Sequence, residues 1–211
     1  MARNRQSRRE AVSGHKRDLI LEAARQVFAE EGLEGASLRA IAMQAGYTPA
    51  ALYFHFESKE DIYAEVLRAS LQSLGLAVNR AMEQARSPAL RLEAAAMAFF
   101  RFYADNPRDL DLGFYLFRGG MKPAGLGHMR DVALNAALEA ALRPVADAAI
   151  EMGASQERAN LLVVECFAHA AGLLLLLHTG RIRMFGASAL DMMESFVKDR
   201  VSQLSRDRLP G

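Results

Sequence analysis

One cysteine, Cys166, is all that this 211-residue chain contains. That excludes an intramolecular disulfide framework and any four-cysteine zinc fold, and it is the usage expected of a reducing compartment. Strand signals are as scarce. No Asn-Gly or Asp-Gly pair is present to turn a hairpin, and no segment sustains the alternation of a half-buried strand. The longest unbroken apolar run, Ala170 to Leu177 with Gly172 inside it, falls short of the roughly 20 residues needed to cross a bilayer. Arg3, Arg5, Arg8 and Arg9 open the chain without the apolar segment of a secretory signal. Net charge is nearly absent too, at +1 from 26 basic and 25 acidic residues. A soluble, cytoplasmic protein with no membrane partner is the expectation. What is plentiful is apolar surface: a 51% hydrophobic fraction is ample for a sizeable core and excludes disorder of the whole chain.

The balanced charge hides an uneven front. Residues 1–17 carry Arg3, Arg5, Arg8, Arg9, Lys16 and Arg17 against Glu10 alone, a net +5. Such a segment reads as a flexible arm, either merely solvated or seeking anions such as a phosphate backbone.

The rest reads as all-α. From Lys16 onward Leu19, Ile20, Ala23, Ala24, Val27 and Phe28 recur as one stripe of a helix, with Gly32 as a left-handed cap. Ser37 caps a short segment through Leu38, Ile41 and Ala45 to Gly46. Thr48 followed by Pro49 starts another helix almost at once. Ser58 with Asp61 forms a capping-box-like start for the next. Ser87-Pro88, Asn106-Pro107 and Ser155 mark further starts, and Gly119-Gly120, Gly153 and Gly180 mark breaks. About six helices follow Phe56, and Pro144 predicts a kink in the one that begins near Gly127.

Two short helices joined by a glycine-containing turn, after a longer amphipathic helix, make a helix-turn-helix candidate. The string IAMQAGYTPAALYFHFESKED from Ile41 to Asp61 strongly resembles the TetR family of bacterial transcriptional regulators. The likeness runs ungapped from Lys16 to about Tyr63 and includes Ala24, Phe28, Gly32, Ser37, Ile41-Ala42, Ala45-Gly46, Leu52-Tyr53, His55-Phe56 and Ser58-Lys59-Glu60. Two departures stand out: Tyr47, where a small aliphatic residue is usual, and Pro49-Ala50-Ala51, where the family often has a polar or glycine residue. The resemblance implies a DNA-binding region over 18–66 after the arm of 1–17. It also implies an effector-binding and dimerisation region over 67–211, a double-stranded DNA operator, a small-molecule effector and a homodimer. It implies no catalysis, and neither a cofactor nor a metal is expected.

Projected at about 100° per residue, Pro49, Leu52 and Phe56 form the buried face of the second helix, and Ala50, Ala51 and Phe54 the opposite one. Tyr53 and His55 fall on the flanks, where a helix lying in a major groove meets phosphates. The resemblance assigns Tyr53, His55 and Lys59 to the DNA backbone; His55 either does this or braces the next helix. Alanines and Phe54 can only press against thymine methyls, so the polar reader is sought in Arg39, which either pairs with guanine O6 and N7 or holds a phosphate. Ser37 and Thr48, as N-caps, offer hydroxyl and backbone N–H groups to phosphates.

The segment 156–178 is apolar nearly all round toward its end, from Leu161 through Leu177. A helix apolar on all sides must be covered on all sides, either within the monomer or by a second copy. The resemblance makes it and the helix near 186–205 the dimer interface. Aromatics crowd residues 99–117. Phe102, Phe114, Tyr115, Phe117 and Arg118, with His128 and His169 as polar anchors, are the candidate effector contacts, the alternative being packed core. Glu165, Cys166 and His169 lie within one helical turn, but they lack the partner ligands of a di-metal bundle and the third group of a nucleophile triad. They read as core with a satisfied histidine.

Overall fold

The computed structural model describes residues 2–113 and 125–207, with side chains for 13–113 and 125–206. Among these residues there is no strand. The helices are α1 (Ala2–Gly35), α2 (Leu38–Ala45), α3 (Pro49–Leu52), α4 (Lys59–Met82), α5 (Pro88–Asp105), α6 (Pro107–Gly113), α7 (His128–Glu151), α8 (Gln156–His178) and α9 (Ala189–Asp207), with a 3₁₀ turn (Arg181–Phe185) before the last. Two compact units result. The first comprises the described residues of 1–70 and 108–134, the second those of 71–107 and 135–211.

Start signals act locally, and the starts fall where the caps stand. The hydroxyl oxygens of Ser37, Thr48, Ser87 and Ser155 accept from the backbone N–H three residues on, at 3.1, 3.3, 3.2 and 3.2 Å. Each satisfies one of the four donors that a helix start leaves open. Ser58 Oγ likewise accepts from Asp61 N at 3.1 Å, while the Asp61 carboxylate accepts from Glu57 N at 3.3 Å, one residue before the usual position of a capping box. α7 continues through Pro144, so the proline removes one ladder hydrogen bond without ending the helix.

Several expectations change. The segment 1–17, read as a flexible arm, belongs to α1 from Ala2; Ala, Arg, Gln and Glu are good helix formers and no proline interrupts them. Gly32 has φ 70° and ψ 178°, not the left-handed helical cap but a region essentially closed to any residue with a Cβ. α1 therefore turns a corner there. Leu19 is 43% exposed while the other members of its stripe are buried, because it sits at the edge of the face that meets α2. Pro49 is exposed, since α3 is a single turn and its first residue stands at the open end.

The first unit is centred on Ile20, Ala24, Phe28, Ile41, Leu52, Ile62 and Tyr63, with the Phe28 and Tyr63 rings edge to face at 4.8 Å. Fully burying side chains of this size contributes about 1.5–3 kcal/mol each. Arg25 Nη1 lies 2.8 Å from Asp109 Oδ1, the Tyr63 hydroxyl donates to Leu112 O at 2.9 Å, and Arg130 Nε lies 3.6 Å from Asp61 Oδ1. α6 and the first turn of α7 are thus tied to α1 and α4. In the second unit α5, α8 and α9 share a core of Leu92, Phe99, Phe100, Leu162, Leu174, Met193 and Val197. His178 Nε2 lies 2.9 Å from Tyr103 O.

Candidate nucleic-acid interface

α2, the turn and α3 form a closely capped pair. The turn closes as a Schellman motif: Gly46 N donates to Met43 O at 3.2 Å and Tyr47 N to Ala42 O at 2.8 Å, with Gly46 in the left-handed region at φ 72°, where a side chain would be strained. α3 keeps one regular turn. After Leu52 the chain tightens, with His55 N and Phe56 N both donating to Leu52 O at 2.9 Å.

This frame sorts the candidate residues. Leu52 and Phe56 point inward, at 0% and 2% exposure. Ser37, Arg39, Thr48 and Ala50 are exposed, and Ala51 and His55 half-buried. Tyr53 is 61% and Phe54 88% exposed. Phe54 is almost bare, the nearby Tyr53 and Thr48 carry hydroxyls, Ser37 and Arg39 are exposed on the α2 side, and backbone N–H groups are open at the two helix starts. Their chemistry suits phosphates and base edges. Met43, 78% exposed on α2, is a further bare apolar side chain that the sequence reading passed over, its position resembling that of any helical Met.

Lys59 is placed differently from the other cations. Its Nζ donates to Leu33 O at 2.9 Å, Ala36 O at 3.3 Å and Glu34 O at 3.4 Å, matching three ammonium donors to three carbonyls freed by the Gly32 corner. Nearby, Arg17 bridges to Glu65 at 3.0 Å and lies 4.7 Å from the Phe56 ring centre. Burial alone raises the Glu65 pKa, but hydrogen bonds and charge from Arg68 and Arg17 outweigh it and hold the carboxyl below its ordinary value.

Three of the candidate effector residues are described. Phe102 is half-buried on α5, its ring 5.2 Å from Tyr103, and His128 is exposed at the start of α7. His169 is half-buried on α8, stacked on Phe196 at 4.1 Å. Phe114, Tyr115, Phe117 and Arg118 lie outside the described residues. The second unit holds a largely apolar groove of about 480 Å³ between α4 and α7, lined by Leu71, Gly75, Leu76, Ala137, Ala141 and Pro144 among others.

The Glu165, Cys166 and His169 cluster is no reaction centre. Arg158 and Arg200 lie 2.9 and 3.7 Å from the Glu165 carboxylate. Burial, reinforced by Glu165, pushes the Cys166 thiol up to about 12, which leaves it without nucleophilic thiolate. His169 is lowered by burial, with Arg200 adding and a hydrogen bond to the Met192 backbone opposing. Its Nε2 is buried without a hydrogen-bond partner, so the histidine is not fully satisfied as expected. Among the described residues no group of three or more His, Cys, Asp or Glu is placed to hold a metal.

α8 keeps an uncovered face. Leu161, Val164 and Leu175 are 52%, 60% and 61% exposed, and Ala168 and Gly172 lie exposed between them. Taken whole, this 23-residue helix is long and apolar enough to cross a membrane, which the unbroken run alone had not indicated. Its Ser155 cap, its Arg158–Glu165 pair and its packing against α5 and α9 are features of a helix within a folded unit.

Residues 20–66 match the profile of the bacterial regulatory proteins, tetR family. The chain is 35% identical over 102 residues to the HTH-type transcriptional repressor BepR of Brucella suis, covering 48% of this chain and 49% of that protein. It is 37% identical over 99 residues to the HTH-type transcriptional activator FasR of Mycolicibacterium smegmatis, covering 47% and 45%. The chain's matches thus span about half the length of these relatives, all transcriptional regulators rather than enzymes. In fold it is similar to the transcriptional regulator FadR of Bacillus subtilis, solved in complex with stearoyl-CoA, with a TM-score of 0.65 at 17% identity over 89% of this chain and 96% of that one. Residues 20–66 thus carry the helix-turn-helix segment of the tetR-family regulatory proteins, and the all-helical fold is similar to that of solved TetR-like regulators.

Proposed function

We propose that the protein is a cytoplasmic, homodimeric repressor, released from a palindromic operator by a small hydrophobic or aromatic effector. Its regions are an N-terminal basic segment (1–17), a DNA-binding region (18–66) and an effector-binding and dimerisation region (67–211). The observation that carries the reading is the near-complete exposure of Phe54 beside Tyr53, Ser37, Arg39 and Thr48 on two capped helices. Arg39 reads a guanine, Ala50, Ala51 and Phe54 meet thymine methyls, and Tyr53, His55 and the two caps hold phosphates. With its donors directed at three carbonyls, Lys59 acts through its charge and by holding the Gly32 corner in place.

The dimer rests on the α8 stripe of Leu161, Val164 and Leu175, continued by α9, which a second copy covers by two-fold symmetry. For the effector, the apolar groove of about 480 Å³ supports a hydrophobic molecule, as does the stearoyl-CoA held by the similar FadR fold. Phe102 and His169, with residues 114–118, are the proposed further contacts, and His128 a peripheral one. Ligand favours a dimer whose recognition helices are wrongly spaced for successive major grooves, so operator affinity falls by population shift. Catalysis, cofactor and metal have no part in this mechanism.

The test is selection of bound fragments from genomic DNA, followed by retardation at low salt with competitor present. The proposal expects enrichment of one inverted repeat, and release by a hydrophobic ligand that in turn binds the DNA complex more weakly by the same factor. Equal ligand affinity for free and DNA-bound protein would refute the switch, and the lack of any enriched fragment would refute the operator.

A further inference from the structure

We infer that the notch between the middle of α1 and the segment 47–55 around α3 is a subsite for one deoxyribose-phosphate unit of duplex DNA, with Tyr47 and Lys16 as its recognition residues. The inference rests on the DNA-binding reading above. The cavity has a volume of about 370 Å³ and is lined by Lys16, Ile20, Tyr47, Ala51, Phe54 and His55. Ile20, at 1% exposure, makes an apolar floor, and the Tyr47 ring, Ala51 and Phe54 make apolar walls. Lys16 and His55 supply the polar groups.

Three features direct this notch toward a nucleotide of the operator backbone. Ala51, Phe54 and His55 already belong to the surface proposed to enter the groove, so the notch continues that surface toward its edge, where the sugar-phosphate strand runs. Its composition matches the two halves of the unit: a deoxyribose presents an apolar edge, and the phosphate attached to it carries one negative charge. Finally, the two neighbouring cations in the middle of α1 divide their work. Arg17 is occupied by Glu65 at 3.0 Å and by the Phe56 ring, whereas Lys16 is exposed and makes no ion pair among the described residues. Arg17 anchors the helix, and Lys16 is left for an anion.

Tyr47 gives the subsite its individuality. A small aliphatic residue, the usual occupant in similar sequences, removes the ring that forms one wall. The half-buried tyrosine therefore deepens the notch.

The experiment measures binding to a random-sequence duplex several helical turns long, titrated between 50 and 200 mM salt, because a backbone contact needs no operator. Lys16→Ala is expected to lower the slope of log affinity against log salt by about one unit per subunit. Tyr47→Val is expected to weaken binding about fivefold with the slope unchanged, and Tyr47→Phe, which returns the ring, to restore the affinity. Arg143→Ala, an exposed cation of α7 paired with Glu139, serves as the control for a general loss of charge. Thermal melting verifies that each variant is folded. A wild type that fails to bind the duplex defeats the DNA-binding reading itself. A wild type that binds with a steep slope, while Lys16→Ala and Tyr47→Val keep both its affinity and its slope, overturns the notch alone.

Discussion

The helix-turn-helix region and α8 both expose large apolar side chains, but in different company. Phe54, Tyr53 and Met43 share a surface with exposed hydroxyls, a guanidinium and open helix starts. Leu161, Val164 and Leu175 form one stripe with Ala168 and Gly172, and no polar group interrupts it. Apolar groups interspersed with hydrogen-bond donors suit a ligand that is polar with small apolar features, such as a DNA groove with its thymine methyls. A continuous stripe suits a second apolar helix face. The arrangement of exposed residues, more than their number, separates the two kinds of partner.

The comparison breaks most severely if charge is placed in the stripe. Val164→Glu sets like charges against each other across a two-fold contact, which costs several kcal/mol. Sedimentation should show monomers at micromolar concentration, and operator affinity should fall by about 100-fold or more. A dimer that survives intact removes α8 from the interface.

Within the DNA-binding region, Leu52→Ala and Phe54→Ala sharpen the contrast between inward and outward residues. The first empties a fully buried position and should cost about 2–5 kcal/mol of stability. The second should leave the melting temperature nearly unchanged and weaken operator binding. Equal melting temperatures for the two variants would contradict the placement of Leu52 in the core.

Arg39→Ala should cost about 1–3 kcal/mol on the operator, and less on scrambled duplex, relaxing preference at one base pair per half-site. If affinity falls equally on both duplexes with a shallower salt slope, Arg39 is a phosphate anchor and specificity lies in Phe54, the alanines or DNA shape.

The smallest effect is one of pH. Glu65 titrates lower in the folded chain than its ordinary 4.5, so its pairs with Arg17 and Arg68 contribute stability that is fully present above about pH 4.5 and lost as pH falls through the folded value. Thermal melts of Glu65→Gln against wild type should differ at pH 7 and converge at low pH. A difference that is constant with pH would show that the ion pairs contribute nothing.

What the sequence revealed was what acts over a few residues. Ser37, Thr48, Ser58, Ser87 and Ser155 each bond a backbone N–H three positions on, so their role could be read from order alone, as could the bounds 156–178 of α8. Lys59 escaped that reading because its carbonyl partners lie 23 to 26 positions upstream. Arg25 and Asp109 are 84 positions apart, and nothing in either neighbourhood marks the pair. The exposure of Pro49 likewise depends on how short α3 is, and that of Leu19 on where α2 packs. The inward Leu52 and Phe56 and the outward Ala50 and Phe54 were legible from the angular projection, whereas Pro49 and the half-buried Ala51 depart from it. An aromatic run such as 99–103 looks the same in sequence whether it packs a core or lines a cavity.

Cleavage protection of the selected operator by hydroxyl radicals tests the central claim most directly. The account predicts a two-fold symmetric pattern, with half-sites about one helical turn or a small multiple apart. Raising the salt from 50 to 200 mM should abolish the pattern, as about 6–10 neutralised phosphates require. A single asymmetric patch of protection, or a pattern that persists unchanged in high salt, would contradict it.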